Sequence, residues 1–182
     1  MKNGSRHNGP SCLGAEWVLT VFTAAVPPQR IQRCAKLFDG VGTGMAVEYT
    51  PLGAIPSIDD GMDAVRAANR GGRAGLMIDC WHFCFSDDTW EDLAAIPLDD
   101  IAYLQFTDAL EPEYRERMIR ESLHRRALPG DGILELDRFA TTLREMGYDR
   151  IVSVEVLGAD LRELPVDVLA GRLYAATAPY WM

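Results

Sequence analysis

Five short apolar runs, each followed by a stretch of helical spacing, constrain this chain more than any other feature. The runs are Glu16–Thr23, Ala46–Thr50, Gly75–Asp79, Ala102–Thr107 and Ile151–Leu157. They are rich in β-branched and aromatic residues and read as strands. After the first, Pro27 and Pro28 open a helix whose apolar positions Ile31, Cys34, Ala35 and Phe38 share one face. Ser57 with Asp60 resembles a capping box ahead of Met62, Val65 and Ala68, and Gly71-Gly72 stops that helix. Leu136, Phe139, Leu143 and Met146 line a further helix ended by Gly147, and a last one is predicted from about Pro165 to Ala176. Strands alternating with helices become parallel neighbours joined by right-handed crossovers, so the class is α/β. GLMID and IVSVEVL stay apolar until their last residues, which predicts cover on both faces of those strands.

The length of 182 residues fits one domain, and 48% hydrophobic with 25% charged residues excludes a disordered or fibrous chain. A net charge of -9, from 27 acidic against 18 basic residues, argues against nucleic-acid and anionic-membrane partners. No run approaches the roughly 18 apolar residues of a membrane span; Trp17–Val26 is the longest candidate. Residues 1–14 read as an irregular tail without the apolar core of a secretory signal. Together with Cys12, Cys34, Cys80 and Cys84 read as free thiols, this predicts a cytoplasmic protein.

Polar residues recur where the strands end: Glu48, Asp79, Gln105 and Glu155. In a barrel of parallel strands the active site lies at those carboxyl ends. A carboxylate inside an apolar strand is costly unless it is paired or binds a cation, so three converging on one mouth predict a metal. A single one reads equally well as a solvated strand end. Asp79 is followed by Cys80-Trp81-His82, which sets carboxylate and imidazole around one turn of chain. Of the other histidines, His7 falls in the tail and His124 on a solvated helix or its end.

The order Glu48, Asp79 with His82, Gln105, Arg126 before Pro129-Gly130-Asp131-Gly132, then Glu155 resembles the C-terminal part of the sugar phosphate isomerase/epimerase superfamily. These are xylose isomerase-like (β/α)8 TIM barrels, and the resemblance covers about residues 15–180. It implies a partial barrel over 15–182, with about five βα units and the first three missing from a fold of about 250 residues. Five strands left open would expose two edges and an inner face, inviting association into a homo-oligomer.

The resemblance also implies Glu48, Asp79, Gln105 and Glu155 as ligands of one divalent metal, with Gln105 where a histidine is common. An all-oxygen set favours Mn²⁺ or Mg²⁺. His82, Arg126 and Trp81 are implied as substrate contacts, although Arg125 and Arg126 also read as a solvated basic face. The implied chemistry is isomerisation or epimerisation of a sugar, sugar phosphate or other hydroxy-carbonyl compound by proton transfer beside the carbonyl. Glu155 and Glu48 would serve as base and acid, and His82 would stabilise the enediolate oxyanion.

Dehydration of a polyol or keto acid fits the same site, and a truncated, non-catalytic interaction module fits the length. Cys80-x-His82-x-Cys84 reads as a zinc site only with a fourth ligand, and no second close pair supplies one. Gly40-Val41-Gly42-Thr43-Gly44 follows a helix and precedes a strand, so it reads as a connector rather than a phosphate loop. Three histidines are too few for the trinuclear zinc site of the superfamily's endonuclease IV branch.

Overall fold

The computed structural model describes residues 14–114 and 116–182. The expected tail, with His7 and Cys12, lies outside the described residues apart from Gly14. Five parallel strands form one sheet: β1 (Trp17–Val21), β2 (Gly44–Glu48), β3 (Ala74–Asp79), β4 (Ile101–Phe106) and, after the short β5 (Asp108–Ala109) and β6 (Arg126–Ala127), β7 (Val152–Val154). Their spatial order is β1-β2-β3-β4-β7. This is an incomplete (β/α) barrel, a half-barrel of five strands. All five expected strands are present, their ends trimmed or extended, the second shifted two residues earlier to Gly44–Glu48.

The helices form where capping and periodicity place them. Helix α1 (Pro28–Asp39) begins on Pro28 and buries Ile31 and Ala35. In α2 (Ile58–Ala68) the Ser57 hydroxyl accepts the Asp60 N–H, while Ser57 Oγ donates to the Asp60 carboxylate at 2.6 Å. Helix α6 (Leu136–Glu145) buries Leu136, Phe139 and Leu143, and Gly147 at φ 91° ends that segment where a side chain would be strained. Helix α7 (Val166–Trp181) runs past the expected stop and through Pro179. Tyr180 and Trp181 meet Phe106 with ring centroids 5.2 and 5.4 Å apart, so packing on the sheet holds the last turn against the proline.

These helices cover one face, and the main core lies between them and the sheet, around Val47, Leu76, Ile78, Leu104 and Phe106. The opposite, concave face carries a smaller cluster of Ala46, Met77 and Ala102, flanked by Trp17 and Tyr103. β2 and β3 are buried throughout. Cover on both faces fails for Ile151–Leu157: β7 is a half-buried edge strand, and Ile151 is exposed. Leu19 and Val21 of β1, the other edge, are exposed as well.

Five elements that periodicity does not reveal shape the strand ends. Helices α3 (Cys80–Cys84) and α4 (Trp90–Ala94) follow β3, and Thr89 with Asp92 forms a full capping box. Between β4 and α6 stand β5 (Asp108–Ala109), α5 (Met118–His124) and β6 (Arg126–Ala127), with β5 and β6 antiparallel. His124 ends α5 and is exposed, as expected. The Gly40–Gly44 connector joins α1 to β2, also as expected. Among the described residues, no helix is long and apolar enough to cross a membrane.

Candidate metal centre

The parallel register sets Asp79 beside Gln105 and Gln105 beside Ser153, so the carboxyl ends of β3, β4 and β7 meet at one rim. Glu48 closes β2, and Glu155 follows β7 and donates its N–H to the Phe106 carbonyl at 3.2 Å. Asp79 is the N-cap of α3: its Oδ1 accepts the Trp81 N–H at 2.8 Å. That cap fixes the carboxylate and turns His82 back over the strand ends.

Ligand atoms of Glu48, Asp79 and His82 lie within 4.8 Å of one another, and all three residues are buried. His82 Nε2 is 3.0 Å from Glu48 Oε1 and 3.7 Å from Asp79 Oδ2. Glu155 stands outside this group, because Arg126 Nη1 is inserted between carboxylates, 2.6 Å from Asp79 Oδ2 and 3.2 Å from Glu155 Oε2. Gln105 Nε2 donates to Glu155 Oε1 at 3.1 Å, which leaves Gln105 Oε1 as a buried acceptor with no hydrogen-bond partner. An orphaned amide oxygen beside three carboxylates is the surrounding a hard cation requires, so the donor set fits a divalent metal.

Burial pushes the Glu155 carboxyl up to about 7; Arg126 pulls it down, while Asp79 and Glu48 push it further up. Burial opposes the charge of Arg126, yet Asp79 and Glu155 outweigh it and hold the guanidinium above its usual range. Arg126 is not on a solvated face; its Nε and Nη2 also donate to the Ser122 carbonyl and hydroxyl at 3.0 and 3.2 Å. Arg125, half-buried, pairs with Glu121 and Glu113. Trp81 is only 1% exposed, with the Arg126 guanidinium 5.4 Å from its ring centre and the Phe85 ring tilted against it at 4.6 Å.

The zinc reading of Cys80-x-His82-x-Cys84 finds no support in the geometry. Cys80 Sγ is engaged by Thr107, donating to its carbonyl at 3.1 Å and accepting its N–H at 3.2 Å. Burial raises both thiols, that of Cys84 to about 12. Cys34, Cys80 and Cys84 are free.

Two site residues escaped the sequence reading. Thr50 Oγ1 lies 3.2 Å from His82 Nδ1. Period-two alternation puts Thr50 on the same face as Glu48, a signal that was there to be used. Asp108, which is buried, accepts the N–H groups of Ala109, Gly130, Gly132 and Leu134 at 2.8 to 3.0 Å and so builds the Gly-rich turn behind Arg126. A side chain at Gly132 would collide with the Ala109 carbonyl and the Asp108 carboxylate, so the turn admits only glycine there.

Known proteins resemble this chain in sequence and in fold. The chain is 27% identical over 128 residues to an inosose isomerase of Bacillus licheniformis, covering 69% of this chain and 44% of that protein. It is 28% identical over 139 residues to a 3-dehydroshikimate dehydratase of Pseudomonas aeruginosa, covering 72% of this chain and 22% of the relative. The chain thus spans less than half the length of these relatives. Among solved structures, the IolI protein with a bound zinc atom superposes with a TM-score of 0.75 at 20% identity, over 94% of this chain and 64% of that one. The model of the xylose isomerase-like TIM barrel family matches residues 28–174, and this chain belongs to that family.

Proposed function

We propose that this chain carries the metal-dependent half of an isomerase or epimerase site for a small hydroxy-carbonyl compound of the sugar or inosose class. The observation that carries the reading is the convergence of Glu48, Asp79 and His82 at one rim, with the partnerless Gln105 Oε1 next to Asp79. Glu48, Asp79, Gln105 and Glu155 would hold the cation. Their oxygen donors favour Mn²⁺ or Mg²⁺, whereas the IolI structure holds zinc. When bound, a divalent cation supplies Lewis-acid polarisation of the substrate's carbonyl and hydroxyl oxygens.

The remaining chemistry belongs to the side chains. Glu155, ionised once the cation is bound, would take the carbon-bound proton. Glu48 returns a proton from the other side of the site. His82 Nε2 donates to the oxygen that becomes negative in the enediolate. Arg126 keeps Asp79 and Glu155 apart and offers its remaining donor capacity to substrate oxygens.

Incubation of the Mn²⁺- or Mg²⁺-loaded protein with inososes and ketoses in D₂O, followed by mass spectrometry, tests this reading. Deuterium should enter the carbon beside the carbonyl, and Glu155→Gln should abolish the exchange. Undiminished exchange in folded Glu155→Gln would remove Glu155 from the reaction. The likeness to a dehydratase supports a second reading, in which the same enediolate expels a β-hydroxyl. Loss of water from the substrate, visible in the same spectra, selects it.

A further inference from the structure

We infer that Thr50 is a positioning residue that decides what His82 can do: by donating to Nδ1 it keeps the proton on Nε2, making His82 a hydrogen-bond donor rather than a metal ligand. The inference rests on the proposed reading of the site. His82 faces two partners, Glu48 Oε1 at 3.0 Å from Nε2 and Thr50 Oγ1 at 3.2 Å from Nδ1. Two arrangements satisfy the neutral ring. In one, Nε2–H donates to Glu48 and Thr50 donates to Nδ1. In the other, Nδ1–H donates to Thr50, leaving a bare Nε2 lone pair aimed between Glu48 and Asp79, as a third ligand.

The surroundings of Thr50 select the first. Its Oγ1 already accepts the Leu52 N–H at 3.2 Å, so its proton is free, and among the described residues Nδ1 is the acceptor within reach. The backbone around it is pinned: Thr50 N–H donates to the Ile55 carbonyl at 2.8 Å, and the Thr50 carbonyl accepts the Gly53 N–H at 2.9 Å. Thr50 is buried, so no solvent competes freely for the hydroxyl. Glu48 Oε1, 3.0 Å from Nε2, is placed to accept an Nε2 proton. Ligand atoms of Glu48, Asp79 and His82 are close enough for a three-ligand site, so without the hydroxyl His82 would be free to join it and turn a hard oxygen site into one suited to zinc.

Two measurements on the whole chain test this, and neither is activity. Long-range ¹⁵N–¹H correlation spectra of the Mg²⁺-loaded protein should show protonated Nε2 and unprotonated, hydrogen-bonded Nδ1 for His82. Thr50→Ser should keep that pattern, while Thr50→Val, which preserves shape and removes the donor, should change the Nδ1 signal. Competition titration should show the Zn²⁺ over Mn²⁺ preference rising about fivefold to tenfold in Thr50→Val, the worth of one hydrogen bond, and unchanged in Thr50→Ser. A proton on Nδ1 in the wild type, or ring signals and metal preference unmoved in folded Thr50→Val, would overturn the inference. Absence of deuterium exchange in the wild type would count against the proton-transfer reading alone, because the tautomer is read without turnover.

Discussion

Arg126 Nη1 lies 2.6 Å from Asp79 Oδ2 with both side chains buried, and the same nitrogen reaches Glu155 Oε2 at 3.2 Å. One guanidinium therefore balances two of the carboxylates proposed to hold the cation, and links the ends of β3 and β7 through β6. The pair is a structural part of the site.

Removing Arg126 should be expensive in the metal-free protein. Arg126→Gln leaves Asp79 buried without its cation, a change that costs about 3–5 kcal/mol when a buried pair loses one partner. Urea denaturation should show this loss. Added Mn²⁺ should recover more stability in the variant than in the wild type, since a cation can replace the missing charge. Equal metal effects in the two proteins would contradict it.

Metal affinity should depend on pH through Glu155. Burial raises its carboxyl to about 7, so below that value a proton competes with the cation for the same oxygens. Affinity should rise as pH increases toward 7 and level off above, with proton release seen by calorimetry in buffers of different ionisation enthalpy. Stability of the metal-free protein should move the other way. The folded state binds the Glu155 proton more tightly than the unfolded state, so its contribution is full below the ordinary carboxylate range and is lost as pH rises through about 7.

Asp108 should matter out of proportion to its distance from the rim. Four backbone N–H groups converge on its carboxylate, and Asn could accept from only one side-chain oxygen. Asp108→Asn should destabilise the chain by about 2 kcal/mol, in the range for hydrogen bonds to a charged group. Because β5 pairs with β6, the variant should also weaken metal binding by loosening Arg126. Hydrogen exchange at Gly130, Gly132 and Leu134 would report the loss directly.

Gln105 tests the hardness of the site. Its Oε1 is the buried acceptor without a partner, so Gln105→Leu should lower Mn²⁺ affinity by at least tenfold while sparing the fold. Gln105→His should instead shift preference toward Zn²⁺, the softer ion that imidazole suits. Competition titrations on the two variants give both answers.

The strands were legible in the sequence because β2 and β3 are apolar runs that end in a carboxylate and β4 is one with Gln105 next to its end, the mark of buried parallel strands with a polar rim. Glu48, Asp79, Gln105 and Glu155 were legible for the same reason. The insertion of Arg126 between Asp79 and Glu155 was not, since it depends on a two-residue antiparallel pair with no periodicity of its own. Alternation puts Thr50 on the face of Glu48, but that His82 Nδ1 lies 3.2 Å from its hydroxyl depends on how α3 turns back over the strand ends. Helix α7 outran its predicted end because contacts with Phe106, far away in sequence, decide where it stops.

Titration calorimetry of the purified chain with Mn²⁺, wild type beside Asp79→Asn and Gln105→Leu, tests the central claim most directly. One equivalent should bind to the wild type, with affinity lost or sharply reduced in both variants while their circular dichroism stays native. No binding to the folded wild type, or binding indifferent to both substitutions, would contradict a metal centre at the ends of these strands.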